Sequence, residues 1–131
     1  MYLIDTNICV AILRGASPRV SPKFRAAMSA GVGVSSITAA ELHFGVAKCA
    51  RPEQNRRNVE NLLSSVTVVP FESRAAEAFG VLREYLRRRG QVIGPYDLLI
   101  AAQAIAENAI LVTNNRREFS RVPTLVLEDW L

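Results

Sequence analysis

Apolar residues along the 131-residue chain fall into two kinds of run that take turns. Short, β-branched runs closed by polar or small residues read as strands, and longer stretches with apolar residues every three or four positions read as helices. "YLID" is a first strand, and "NICVAILRG" a helix that Gly15 closes. "SPKFRAAMSAG" is a second helix, with Pro18 just after a capping Ser17. "VGVSS" follows as a strand. "TAAELHFGVAKCA" and "PEQNRRNVENLLSSV" then form a helical hairpin hinged near Arg51-Pro52. "TVVPF" is a third strand, and a long amphipathic helix runs from about Ser73 to Arg89. A helix starting near Pro95, a strand "ILVTN" and a short strand near "TLVLE" complete the chain.

Strands that alternate with helix-sized connections give a parallel sheet, because a parallel crossover needs a dozen or more residues. The expected class is therefore α/β, with a mostly parallel central sheet flanked by helices. Neither a repeat nor a linker divides the chain, so residues 1–131 are expected to form a single domain. Half of the residues are hydrophobic, enough to enclose a core without disulfides. No apolar run approaches the roughly 20 residues that span a bilayer, and Met1 leads straight into a strand, so a cytoplasmic protein without a membrane segment is expected. Cys9 and Cys49 read as buried free thiols on helical patterns.

In such sheets sites gather beyond the carboxyl ends of the strands. Three carboxylates interrupt apolar or small-residue patterns there. Asp5 closes the first strand, Glu41 lies in "SSITAAELHFG", and Asp97 opens the helix of "IGPYDLLIAAQA". Two have an ordinary explanation when taken alone, Asp5 as a helix cap and Asp97 as complement to a helix N-terminus, whereas Glu41 has less excuse, since its flanks Ala39, Ala40, Leu42 and Phe44 suggest a buried helix. Together they form a set of hard oxygen ligands without His or Cys, which suits Mg²⁺ or Mn²⁺. Net charge is +4, and Arg supplies 14 of the 16 cations. Guanidinium groups favour planar, bidentate phosphate contacts, so a cationic surface around an acidic centre fits a polyanion that is held and cut.

Metal-free RNA cleavage through the 2′-hydroxyl needs a general base and a general acid, most often His. The chain has one His, His43, about 200° around a helix from Glu41 and read as a partly buried residue outside the chemistry. A Ser or Cys nucleophile lacks a base for the same reason. Metal-activated water remains.

In order and spacing, "LIDTN", "SSITAAELHFG", "GPYDLLIAAQA" and "LVTNNRREF" resemble a PIN-domain protein, more narrowly the VapC toxins of VapBC toxin-antitoxin systems. The resemblance runs from Met1 to the closing "EDWL". It implies a PIN-like three-layer α/β/α fold and Mg²⁺-dependent endoribonuclease activity, with Mn²⁺ able to substitute. It also implies a cognate VapB-like antitoxin that occludes the site, and a homodimer or larger toxin-antitoxin assembly. The substrate implied is tRNA, and the ending is similar to that of initiator-tRNA anticodon nucleases. Asp5, Glu41 and Asp97 match the acidic triad and would hold the metal. Many members carry an acid after the Thr of the last motif, whereas Thr113 is followed by Asn114 and Asn115. Asn115 would orient the water or the ion, and Thr113 would support Asp5 by a hydrogen bond. Asn115, Glu118 and Asp129 remain open as replacements for the fourth acid.

Arg116 and Arg117 follow the strand end beside these acids and are candidates for RNA phosphate. Tyr96, next to Asp97, could stack on an unpaired base or pack in the core. Arg87, Arg88 and Arg89 read as a solvated helix end. Ala75, Ala78, Phe79, Leu82 and Leu86 form an apolar face for the core or a dimer. Phe44 and the Arg51–Asn58 hairpin are the candidate surface for the antitoxin. Two rivals stand against the nuclease. An aspartyl-phosphate phosphatase would need an acid two residues after Asp5, where Asn7 stands. A non-catalytic RNA-binding module would keep the basic surface and use its acids only as helix caps.

Overall fold

The computed structural model describes residues 1–15 and 17–131. Five strands form one sheet: β1 (Tyr2–Ile4), β2 (Val32–Ser35), β3 (Thr67–Val69), β4 (Ile110–Val112) and β5 (Leu127–Glu128). Their order is β3-β2-β1-β4-β5, and every neighbouring pair is parallel. The helices between them are α1 (Thr6–Arg14), α2 (Val20–Ala27), α3 (Ser36–Lys48), α4 (Pro52–Ser65), α5 (Ser73–Arg88), α6 (Pro95–Ala106) and α7 (Arg116–Phe119).

Alternation within β1 divides the interior into two cores, because successive side chains leave a strand on opposite faces. Ile4 joins Ile8, Val20, Leu42, Val59 and Trp130 in the core under α1 to α4. Leu3 joins Leu82, Leu86, Ile100, Leu111 and Phe119 in the core under α5 and α6. The expected three-layer α/β/α arrangement is observed. The apolar face of α5 belongs to this second core through buried Leu82 and Leu86, with Phe79 packed against them.

Several boundaries differ from the sequence pattern, each for a local reason. The second helix starts at Val20 rather than at Pro18. The Ser17 hydroxyl accepts from the Arg19 amide at 3.2 Å and makes a turn there instead of a helix cap. Its far end tightens into a 3-10 turn over Met28–Ala30, which Gly31 leaves at φ 90°. Strand β3 stops before Pro70, which has no amide hydrogen for the ladder. His43 is exposed rather than partly buried, because the core stripe of α3 runs through Thr38, Ala39, Leu42 and Val46. Cys9 is buried, but Cys49 is only half-buried at the end of α3 and accepts a hydrogen bond from Asn55.

Strand order reverses at β1, with β2 and β3 on one side and β4 and β5 on the other. The crevice of an open parallel sheet lies at such a reversal, beyond the carboxyl ends. Here that edge falls between the ends of β1 and β4, where the Asp5 amide donates to the Val112 carbonyl at 3.0 Å. No helix among the described residues is long and apolar enough to cross a membrane.

Candidate active site

Asp5 is where β1 becomes α1. One carboxylate oxygen accepts from the Ile8 amide at 3.0 Å and caps the helix, so the ordinary explanation holds for half of this side chain. The residue is 4% exposed. Burial raises its pKa above the usual Asp value and the charge of Glu41 adds to the rise, against hydrogen bonding from Thr113 and the Ile8 amide.

Neither of the other two acids caps a helix through its side chain, although Asp97 does stand in the first turn of α6, where its charge complements the helix N-terminus. Helix α3 is capped by Ser35, whose hydroxyl accepts from the Ile37 amide at 3.1 Å. Glu41, more than a turn further on, instead accepts from the Thr6 hydroxyl at 2.6 Å. Asp97 lies in the first turn of α6, which has no side-chain cap. Its Oδ2 accepts from the Asn115 amide nitrogen at 3.3 Å. Burial pushes the Asp97 carboxyl up to about 6, and Asp5, Glu118 and Glu41 add to the rise through their charges. A hydrogen bond with Glu118 acts in the same direction. The other three carboxyl groups therefore lie near enough to Asp97, at the same edge of the sheet, for their charges to act on it.

The fourth acid is carried by an element that the sequence pattern did not predict. Thr113 is fully buried at the end of β4, and its hydroxyl accepts from the Asn115 amide at 2.9 Å, turning the chain into α7. Helix α7 has only four residues, too few for an apolar period. The Asn115 side chain donates to Asp97 and also to Glu118 Oε2, at 3.2 Å, so one neutral amide bridges two carboxylates. Of the three residues considered for the fourth place, Asn115 and Glu118 reach the cluster. Asp129 does not: it accepts from the Leu131 amide at 2.9 Å and is absent from the charges acting on Asp97.

Among the described residues, no three His, Cys, Asp or Glu side chains stand close enough to enclose an ion as they lie. Each acid is instead turned toward a neutral donor, Glu41 toward Thr6 and both Asp97 and Glu118 toward Asn115. Burying these carboxylates near one another still carries a cost that the donors do not remove: the Asp5 and Asp97 pKa values are raised, first by burial and then by the neighbouring charges. A hard divalent cation would relieve that cost, and an all-oxygen donor set is of the kind that suits Mg²⁺.

The surroundings divide by side. Arg116 and Arg117 are exposed on α7, and neither stands within ion-pair distance of an acid among the described residues. By contrast, Arg87 and Arg88 pair with Glu84 on their own helix. On the other side a groove of about 880 Å³ runs between α1, α3 and α4, floored by Val10, Leu13 and Val59 and reaching Glu41 and Tyr96. Phe44, Asn55 and Asn58 line it as well.

The chain belongs to the PIN-domain family, whose model matches residues 2–125. Within that family its similarity is to VapC proteins. It is 43% identical over 131 residues to "Ribonuclease VapC2" of Rickettsia felis, spanning 99% of this chain and 98% of the relative. It is 36% identical to the "tRNA(fMet)-specific endonuclease VapC" of Salmonella typhimurium, over 98% of this chain and 97% of that one. The crystal structure of Rickettsia felis VapBC2 bound to a promoter DNA fragment contains a chain that superposes with a TM-score of 0.95 at 40% identity, covering 99% and 98% of the two chains. DNA-bound VapBC from Salmonella typhimurium gives the same TM-score at 36% identity, with the same coverage.

Proposed function

We propose that this chain is the toxin of a type II toxin-antitoxin pair, a cytoplasmic, Mg²⁺-dependent endoribonuclease that hydrolyses tRNA and is silenced by a VapB-like antitoxin. The observation that carries this reading is the gathering of Asp5, Glu41, Asp97 and Glu118 near the reversal point of the sheet, where burial pushes Asp97 up to about 6 and the charges of the other three add to the rise. Asp5, Glu41 and Asp97 would hold the metal, with Glu118 as the fourth acid. Bound there, Mg²⁺ supplies the Lewis-acid charge that activates water and stabilises the departing oxygen. The protein's own part is positioning. Thr6 fixes the rotamer of Glu41, Asn115 holds Asp97 and Glu118 together, and Thr113 both supports Asp5 and turns the chain that delivers Asn115. The single His is exposed and outside this group, so water rather than the 2′-hydroxyl is the nucleophile, leaving 5′-phosphate and 3′-hydroxyl ends.

Similarity to proteins named tRNA(fMet)-specific endonucleases in Salmonella typhimurium and Shigella flexneri supports initiator tRNA, cut in the anticodon region, as the substrate. Similarity to chains of VapBC complexes supports an antitoxin partner. Its seat is the apolar groove, whose end at Glu41 and Tyr96 lets an occupant cover the acidic cluster. The test is incubation of purified protein with total tRNA in Mg²⁺, with chelator and an Asp97→Asn variant alongside. Discrete fragments that vanish in both controls support the reading. Intact tRNA in all lanes, or fragments ending in 2′,3′-cyclic phosphate, would overturn it.

A further inference from the structure

Tyr96 presents an aromatic ring that the fold does not use. Of the three tyrosines, Tyr2 packs against Trp130 with ring centroids 5.6 Å apart. Tyr85 carries the Arg89 guanidinium 3.5 Å from its centroid. Phe44, 64% exposed, has the Lys48 ammonium 5.1 Å from its ring. Tyr96 is 59% exposed, and among the described residues it has neither an aromatic neighbour nor a cation over its ring. Leaving so large a side chain in water forgoes much of the stabilisation that burial of its ring would supply.

Its mounting is rigid. Tyr96 is the second residue of α6, between Pro95 at the first helical position and Asp97. The proline ring fixes its own φ, and the Leu98 amide closes the first turn on the Gly94 carbonyl at 2.9 Å. Position adds the second argument. Tyr96 borders the groove together with Thr6 and Glu41, so it stands on the α1 and α3 side of the acids. Arg116 and Arg117 leave the end of β4, on the far side of β1. The acidic cluster is therefore flanked by a bare ring on one side and unpaired guanidinium groups on the other.

We infer that Tyr96 is a stacking platform for an unpaired base next to the scissile phosphate, and that it makes the enzyme select looped-out over duplex RNA. The inference rests on the nuclease reading of the acidic cluster and deepens it. Bases in a duplex are already stacked on their neighbours, so only a splayed nucleotide offers a free face to a protein ring. Stacking of this kind tolerates any base, so Tyr96 selects structure, and other contacts must select sequence.

The experiment compares wild type, Tyr96→Ala and Tyr96→Phe. Binding is measured in chelator, by fluorescence anisotropy, to a hairpin RNA with a randomised loop and to a fully paired RNA of equal length. Tyr96→Ala is expected to weaken hairpin binding about tenfold and duplex binding hardly at all, with Tyr96→Phe within about twofold of wild type. Loop-placed 2-aminopurine should change fluorescence on binding to wild type and Tyr96→Phe, and stay unchanged with Tyr96→Ala. Equal hairpin affinity for all three proteins overturns the inference, as does a Tyr96→Phe variant as weak as Tyr96→Ala, which would make the hydroxyl the active group. The nuclease reading is judged separately, by wild type against Asp97→Asn in Mg²⁺, so either idea can fail without the other.

Discussion

Gln103 and Asp97 lie on the same helix, six residues apart, and the protein surrounds them in opposite ways. Gln103 is fully buried. Its oxygen accepts from the Ser35 hydroxyl at 2.8 Å and its nitrogen donates to the Pro70 carbonyl at 3.0 Å. Ser35 in turn caps α3, and the neighbouring Ser36 hydroxyl accepts from the Phe71 amide at 3.1 Å. This neutral, closed network ties α6 to the ends of β2 and β3. Around Asp97 the partners are three more acids and one amide. The buried polar group at Gln103 is closed by neutral partners, whereas the one at Asp97 leaves like charges near one another at a cost in stability, as a site for a cation would.

The sharpest way to test this contrast is to remove the charge of Asp97 while keeping its shape. Asp97→Asn should reduce tRNA cleavage by about a thousandfold or more, the scale of losing a group that acts in the transition state. The same variant should be more stable than wild type in chelator at pH 7. In wild type burial and the neighbouring acids push the folded carboxyl up to about 6, well above the ordinary Asp value of 3.8, so folding disfavours the charged form. That cost is absent below pH 3.8 and complete above about pH 6. Thermal melts should therefore show a gain of about 1 to 2 kcal/mol at neutral pH, allowing for partial exposure, which shrinks toward pH 4. A variant no more stable than wild type at pH 7 would remove the claim that the Asp97 charge is held at a cost by burial and by its acidic neighbours.

Breaking the opposite member should give the opposite pattern. Gln103→Leu leaves the Ser35 hydroxyl and the Pro70 carbonyl without their partner and should cost about 2–3 kcal/mol in urea unfolding. Below the transition, metal-dependent cleavage per folded molecule should remain, because Gln103 touches none of the acids. A smaller effect separates the two late acids. Glu118→Gln should slow cleavage by about tenfold, since a neutral group can still accept from Asn115 but no longer adds charge. Asp129→Asn should leave the rate unchanged.

The difference between the two environments also explains what the sequence could reveal. The strand and helix order was legible, because β-branched runs and apolar periods alternate with Gly15, Pro52 and Pro95 as punctuation. Asp5, Glu41 and Asp97 were legible for the same reason: each is a charge set in an apolar pattern. Glu118 stands in "NNRREF", where nothing is apolar enough to interrupt, and its place depends on a turn made by the Thr113 hydroxyl and a four-residue helix. Gln103 was passed over as one polar letter in "IAAQAIA", since its partners come from two distant segments. His43 was misplaced because apolar neighbours in sequence flank it, while the buried stripe of α3 passes through other positions.

The smallest expected effect concerns the arginines, and it divides them as the two polar sites are divided. Arg87 is paired with Glu84, so its charge is already balanced on its own helix. Among the described residues Arg116 and Arg117 have no such partner, and they open α7, the helix that carries Glu118. Removing a phosphate contact reduces the slope of log affinity against log salt by about 0.7 for single-stranded RNA. The double variant Arg116→Ala, Arg117→Ala should therefore flatten that slope by about 1.4 and lower affinity for every RNA by a similar factor. Arg87→Ala should leave the slope as it is. An unchanged slope in the double variant would place the RNA elsewhere on the surface. Because phosphate contacts carry no structural preference, the ratio of hairpin to duplex binding should survive loss of both arginines and collapse only when the Tyr96 ring is removed.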